Sequence, residues 1–202
     1  MTLPSFITNL RQILSQINPD AIEQTNYVNL PECDEQAQLP DLLKLDSPPA
    51  DPLIEAFHLI LDAAAKGQVD LVKYGMNEIC KAYLRIVNEE NEKTLSVYFF
   101  KRLELIFQRC MMSDFPYPNE VWNYLGGCIN TVGLFLLEQH LQVGAKELLQ
   151  IFYHMGKSAG HRGLQTDSTQ GYFRVLENKA LEKGFEGLAA NAKNFRFNLE
   201  LY

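Results

Sequence analysis

Glu147, His154 and His161 recur every seven residues, which places three metal-capable side chains on one side of a helix. Seven helical residues rise about 10.5 Å, so no two of the three reach a single ion directly. His58 and Asp62 stand at i and i+4, a credible ligand spacing, and would still need ligands from elsewhere in the chain. The simpler reading of these histidines is solvated or core-edge side chains, and of His140 a cap at a helix junction. Gly156-Lys157-Ser158 resembles the end of a phosphate-binding loop. That loop needs a strand before it and a glycine five positions before Gly156, where Ile151 stands in a helical context. Nucleophilic catalysis needs a nucleophile, a base and an orienting group, and no local signature such as Gly-x-Ser-x-Gly assembles them. Glu89-Glu90 reads as a solvated pair in a polar loop. The four cysteines, Cys33, Cys80, Cys110 and Cys128, contain no Cys-x-x-Cys and suggest neither zinc nor a thioredoxin-type pair. Three of them lie in apolar helical patterns and read as buried reduced thiols. The expectation is therefore a protein without catalytic residues, cofactor or metal.

One basic stretch remains as a candidate contact for an anion or an acidic partner. Lys157, His161 and Arg162 lie within Lys157–Gly163, and Arg174 and Lys179 follow. The alternative is that these cations complement a helix C-terminus. Charge is unevenly placed. Residues 1–62 carry ten acids against two bases, net −8, and residues 63–202 carry fifteen acids against sixteen bases, net +1. A neutral main body argues against general nucleic-acid binding. The acidic residues 20–51 form a candidate strap across the basic surface.

The element that must position all of this is Val121–Leu137, seventeen residues without a charge, containing Trp122. A helix apolar all round is buried in a core or in a bilayer. It is shorter than the roughly 20 residues a span needs, its flanks Glu120 and Glu138 are acidic, and Asn123, Asn130 and Thr131 lie inside it. It is expected to be the spine of a helical domain, with Leu125, Ile129, Val132 and Leu136 hidden from water. Gly126 and Gly133 are the expected points of closest helix approach.

Around it the chain reads as helices. Residues 4–17 form a short amphipathic helix with Leu3, Phe6, Ile7, Leu10, Ile13, Leu14 and Ile17 on one stripe. Asp51-Pro52 opens a long helix that ends near Lys66-Gly67. Val69, Val72, Met76, Ile79, Tyr83 and Ile86 follow in steps of three and four. A helix near Thr94–Met112 has two apolar edges, and the turn Ser113–Asn119 leads to the spine with Asn119 as its cap. Leu141, Ala145, Leu148, Phe152, Met155 and Ala159 share a face, as do Leu181, Phe185, Leu188, Ala192, Phe195 and Leu199. Asp167 or Ser168 is the expected cap of the last helical stretch, which Gly184 and Gly187 bend or divide. The faces at 69–86, 141–159 and 181–199 are expected to cover the spine.

No segment alternates as a strand does, so the fold class is all-α. Residues 1–50 hold a short helix and an irregular acidic segment, and residues 51–202 an all-helical domain. Pairs at 53–87, 94–138 and 141–200 would suit a helical-hairpin stack, a HEAT/armadillo-like α-solenoid, and a compact multi-helix bundle suits the pattern as well. The expected function is a non-catalytic interaction or regulatory module that binds a protein partner or self-associates. The alternative is a small-molecule or lipid-binding bundle with its pocket near Trp122, Tyr124 and the glycines of the spine. Residues 1–30 lack a signal-peptide pattern, so a cytoplasmic location is expected.

Overall fold

The structure, a computed structural model, describes residues 1–17 and 52–199. The candidate acidic strap at 20–51 and the expected helix opening at Asp51 lie outside the described residues. Among the described residues there are eight helices and no strand. They are α1 (Leu3–Leu14), α2 (Pro52–Ala65), α3 (Val69–Ile86), α4 (Glu92–Cys110), α5 (Pro118–Glu138), α6 (Gln142–His161), α7 (Asp167–Glu182) and α8 (Glu186–Leu199). None of them is long and apolar enough to cross a membrane.

The helices sort into two rows. α2, α4, α6 and α8 pack side by side, and so do α3, α5 and α7, with α2 on α3, α5 on α6 and α7 on α8 joining the rows. Side-chain bonds at the helix ends show that neighbours within a row run parallel. In the first row Arg109, near the end of α4, donates to the carbonyl of Ala65, which ends α2, at 2.9 Å. Arg162, the residue after α6, donates to the carbonyl of Met111, the residue after α4. In the second row Lys179 and Lys183 at the end of α7 pair with Glu138 at the end of α5. Terminal helix carbonyls have no intrahelical donor, and in the first row a cation from the next helix supplies one.

α5 is the spine. Leu125, Ile129, Val132 and Leu136 are at most 1% exposed. A Cβ on Gly126 would lie 2.8 Å from the Tyr172 ring, and one on Gly133 2.7 Å from Leu176. Both neighbours belong to α7, so α7 and not the 181–199 face covers the spine on that side. The tightest glycine is elsewhere: a Cβ on Gly75 would meet Ile60 at 2.5 Å, where α3 crosses α2. Trp122 lies between Phe107 of α4 and Phe152 of α6, ring centroids 5.2 and 5.8 Å away, and its indole N–H reaches the Gln165 carbonyl at 3.1 Å.

Three local expectations are corrected. Tyr117, not Asn119, precedes α5. It holds φ 54, ψ 51, and Pro118 takes the first helical position, where the missing N–H is harmless. The Asn119 side chain instead accepts from the Gln165 amide. Thr166 precedes α7, so neither Asp167 nor Ser168 does. Leu181 is 55% exposed. Gly184, at φ 77, ends α7 and turns the chain into α8, so residues 181 and 188 belong to helices of different direction. The inner face of α7 is Thr169, Phe173, Leu176 and Ala180. The similar joint at Gly67 has φ 64, the left-handed conformation that glycine adopts without steric cost. α1 packs on α2 and α3, with Phe6, Leu10 and Leu14 in the common core.

Candidate functional site

α3 and α5 run side by side, and a cleft of about 390 Å³ opens between them. Asn77, Lys81 and Leu84 from α3, in steps of four and three, and Asn123, Tyr124 and Thr131 from α5, with Thr131 seven beyond Tyr124, line it. Gly127 also lines it, and a Cβ there would meet only the Tyr172 hydroxyl of α7, at 3.7 Å. Lys73 pairs with Glu120 and stands 5.6 Å from the centre of the Tyr124 ring. The hydrogen bond to Glu120 holds the Lys73 ammonium above its ordinary pKa. Lys81 bonds Glu78 at 2.8 Å. Burial pushes the Tyr124 hydroxyl up, so its phenol is neutral and able both to donate and to accept.

The same cleft contains two thiols. Cys80 is buried, Cys128 is half-buried, both line the cleft, and their thiols act on each other. The bond from Cys80 stabilises the Cys128 thiolate and lowers its pKa, with Lys81 adding to the effect. The bond to Cys128 and burial push Cys80 well up. Both are reduced, as their apolar helical patterns suggest, but only Cys80 is buried. They stand on different helices, with nothing in local spacing to pair them.

The second polar site is at Arg102 on α4. Its side chain is buried, lies 5.3 Å from the Tyr98 ring centre and leaves Nε without a hydrogen-bond partner. His58 on α2 feels this charge. Burial first, and then Arg102, lower its pKa, while Asp62 acts in the opposite sense. His58 and Asp62 line an open cleft of about 370 Å³ between α1 and α2. Among the described residues no group of three His, Cys, Asp or Glu could hold a metal ion.

The basic candidates divide. Lys157 is half-buried in the last turns of α6, and His161 ends that helix exposed. Arg162 is engaged with the Met111 carbonyl, a helix-terminus contact of the kind weighed against anion binding. Arg174 is exposed two turns into α7. Gly156 is helical and packs against Leu199 and Thr169, so Gly156-Lys157-Ser158 forms no phosphate loop. No motif marks Arg109, which binds Asp114 through both oxygens at 3.0 and 3.1 Å and also donates to the Ala65 carbonyl.

Set against known protein families, curated proteins and solved structures, the chain matches none.

Proposed function

We propose that the chain is a non-catalytic helical module that binds a protein partner or a second copy of itself, with the α3/α5 cleft as its contact surface. The observation that carries this reading is the make-up of the cleft. Two amides, a hydroxyl and an ammonium surround the Tyr124 ring and Leu84. This combines polar groups for a backbone with an aromatic anchor of the kind that dominates protein interfaces. Stacked helical hairpins present such surfaces along their length. The small-molecule alternative draws less support. The space beside Trp122, Gly126 and Gly133 is filled by Tyr172, Leu176, Phe107 and Phe152, and of the expected pocket only Tyr124 and Gly127 border open space, in the α3/α5 cleft. A void near Gly133 and Leu176 holds about 10 Å³, room for about one water.

A photo-crosslinking amino acid at position 124, in cells expressing the chain, tests the reading against the same probe at exposed Leu181 on α7. The expected result is a polypeptide adduct, with another protein or with a second copy, from position 124 and not from 181. The opposite result is no polypeptide adduct from 124, together with a small molecule that stays on the purified chain in native mass spectrometry.

A further inference from the structure

Cys80 and Cys128 meet in the cleft as reduced thiols, although they stand on different helices. Their exposure differs. Cys80 is 5% exposed behind Cys128, and Cys128 is half-buried at the surface of an open cleft. Lys81 lines the same cleft, one residue from Cys80. Reactive thiols are those whose thiolate is stabilised and reachable, while thiols buried in apolar surroundings are inert. Cys110 is the internal contrast, buried in α4 with its thiol pushed up to about 12 by burial.

From this arrangement we infer that Cys80 and Cys128 are a reversible peroxide-responsive pair, in which Cys128 meets the oxidant and Cys80 resolves it to a disulfide joining α3 to α5. The Cys128 thiolate attacks one oxygen of a hydroperoxide. A sulfur–oxygen bond forms and the oxygen–oxygen bond breaks. Sulfur is oxidised to a sulfenic acid, and the peroxide is reduced to hydroxide or to an alcohol after protonation. The Cys80 sulfur then attacks the Cys128 sulfur. The sulfur–sulfur bond forms, the sulfur–oxygen bond breaks, and the hydroxyl leaves with the Cys80 proton as water. A thiol reductant reverses the bridge by exchange. A disulfide holds the two sulfurs about 2.05 Å apart. The bridge therefore narrows the cleft. The inference stands whether or not the cleft is a docking surface.

The test treats the full chain with hydrogen peroxide and maps its cysteines by mass spectrometry. Fragmentation is needed because Cys110 and Cys128 share the tryptic peptide 110–146. The expected product is a Cys80–Cys128 disulfide that a thiol reductant removes, with Cys110 still reduced. In Cys80→Ala, dimedone should label Cys128; in Cys128→Ala, it should leave Cys80 unlabelled. Iodoacetamide should alkylate Cys128 at least about tenfold faster than Cys110, the change in thiolate fraction for one pKa unit. Circular dichroism checks that each variant is folded, and disulfide mapping in the unaltered chain needs no variant. The inference is overturned if Cys80 is labelled first, if Cys110 enters the bridge, or if both thiols survive peroxide that oxidises free glutathione.

Discussion

The two sides of α5 follow opposite rules, although they interleave along one helix. Toward α6 and α7, Gly126 and Gly133 are occupied by Tyr172 and Leu176, and Trp122 is held between two phenylalanines. Toward α3, Gly127, Cys128 and Thr131 border open space, with lysines, amides and a half-buried tyrosine around them. The first side is packed as a protein interior is. The second packs on α3 as well but leaves an open cleft beside that contact, which collects the groups able to bind or react. Folding is thus concentrated on one side of the spine and chemistry on the other, and substitutions on the two sides should have effects of different kind.

The largest effect belongs to the packed side. Trp122→Ala removes a fully buried ring and leaves the Gln165 carbonyl without its donor. It should cost about 3–5 kcal/mol, read as a fall in the urea midpoint. A change below about 1 kcal/mol would show that α5 is not the spine. Next comes the row of helix ends. Arg109→Ala leaves the Ala65 carbonyl and Asp114 unpaired, and should cost about 1–3 kcal/mol. Arg162→Ala removes one bond at an exposed position and should cost less, about 0.5–1.5 kcal/mol. If the two costs were reversed, the cations at successive helix ends would not act as described.

The smallest effect is electrostatic. Hydrogen bonds from Lys179 and Lys183 hold the Glu138 carboxyl down at about 2, against an ordinary 4.5. A depressed carboxylate contributes stability that is complete above its unfolded pKa and is lost as pH falls through the folded one. The melting temperature of Glu138→Gln should therefore lie below that of the unaltered chain at pH 6. The two should converge between pH 4.5 and 2, and added salt should shrink the gap at pH 6. A gap that widens on acidification would contradict the pairing of α5 with α7.

What could be read from the sequence, and what could not, divides along the same line. The buried residues of α3, α5 and α6 were legible because a packed face repeats every three or four residues over a long uninterrupted helix. Val72, Met76, Ile79 and Tyr83 are such a set. Leu181 was misplaced because its apolar spacing runs on through Gly184, where the chain turns. Gly184 itself reads equally well as a bend or as a break. The helix-end bonds of Arg109 and Arg162, and the meeting of Cys80 with Cys128, join residues more than forty positions apart. Local periodicity carries no information about which helices become neighbours. Lys157, His161, Arg162 and Arg174 stood out as a charge cluster, and the fold uses at least Arg162 to satisfy a carbonyl. The polar lining of the cleft is spread thinly over two helices and forms no motif in either.

The contrast between the two sides of α5 is tested most directly by one methyl group placed on each. A Cβ at Gly133 would stand 2.7 Å from Leu176 and 3.3 Å from Leu148, both buried, whereas one at Gly127 would stand 3.7 Å from the Tyr172 hydroxyl. Both positions are helical, so alanine gains helix propensity at each, about 0.5–1 kcal/mol. Overpacking at Gly133 should exceed that gain and leave a net loss of about 0.5–2 kcal/mol. Gly127→Ala should keep the gain. Urea unfolding of Gly133→Ala and Gly127→Ala beside the unaltered chain should thus move the midpoint down for the first and up, or not at all, for the second. A downward shift at Gly127 as large as that at Gly133 would contradict the account.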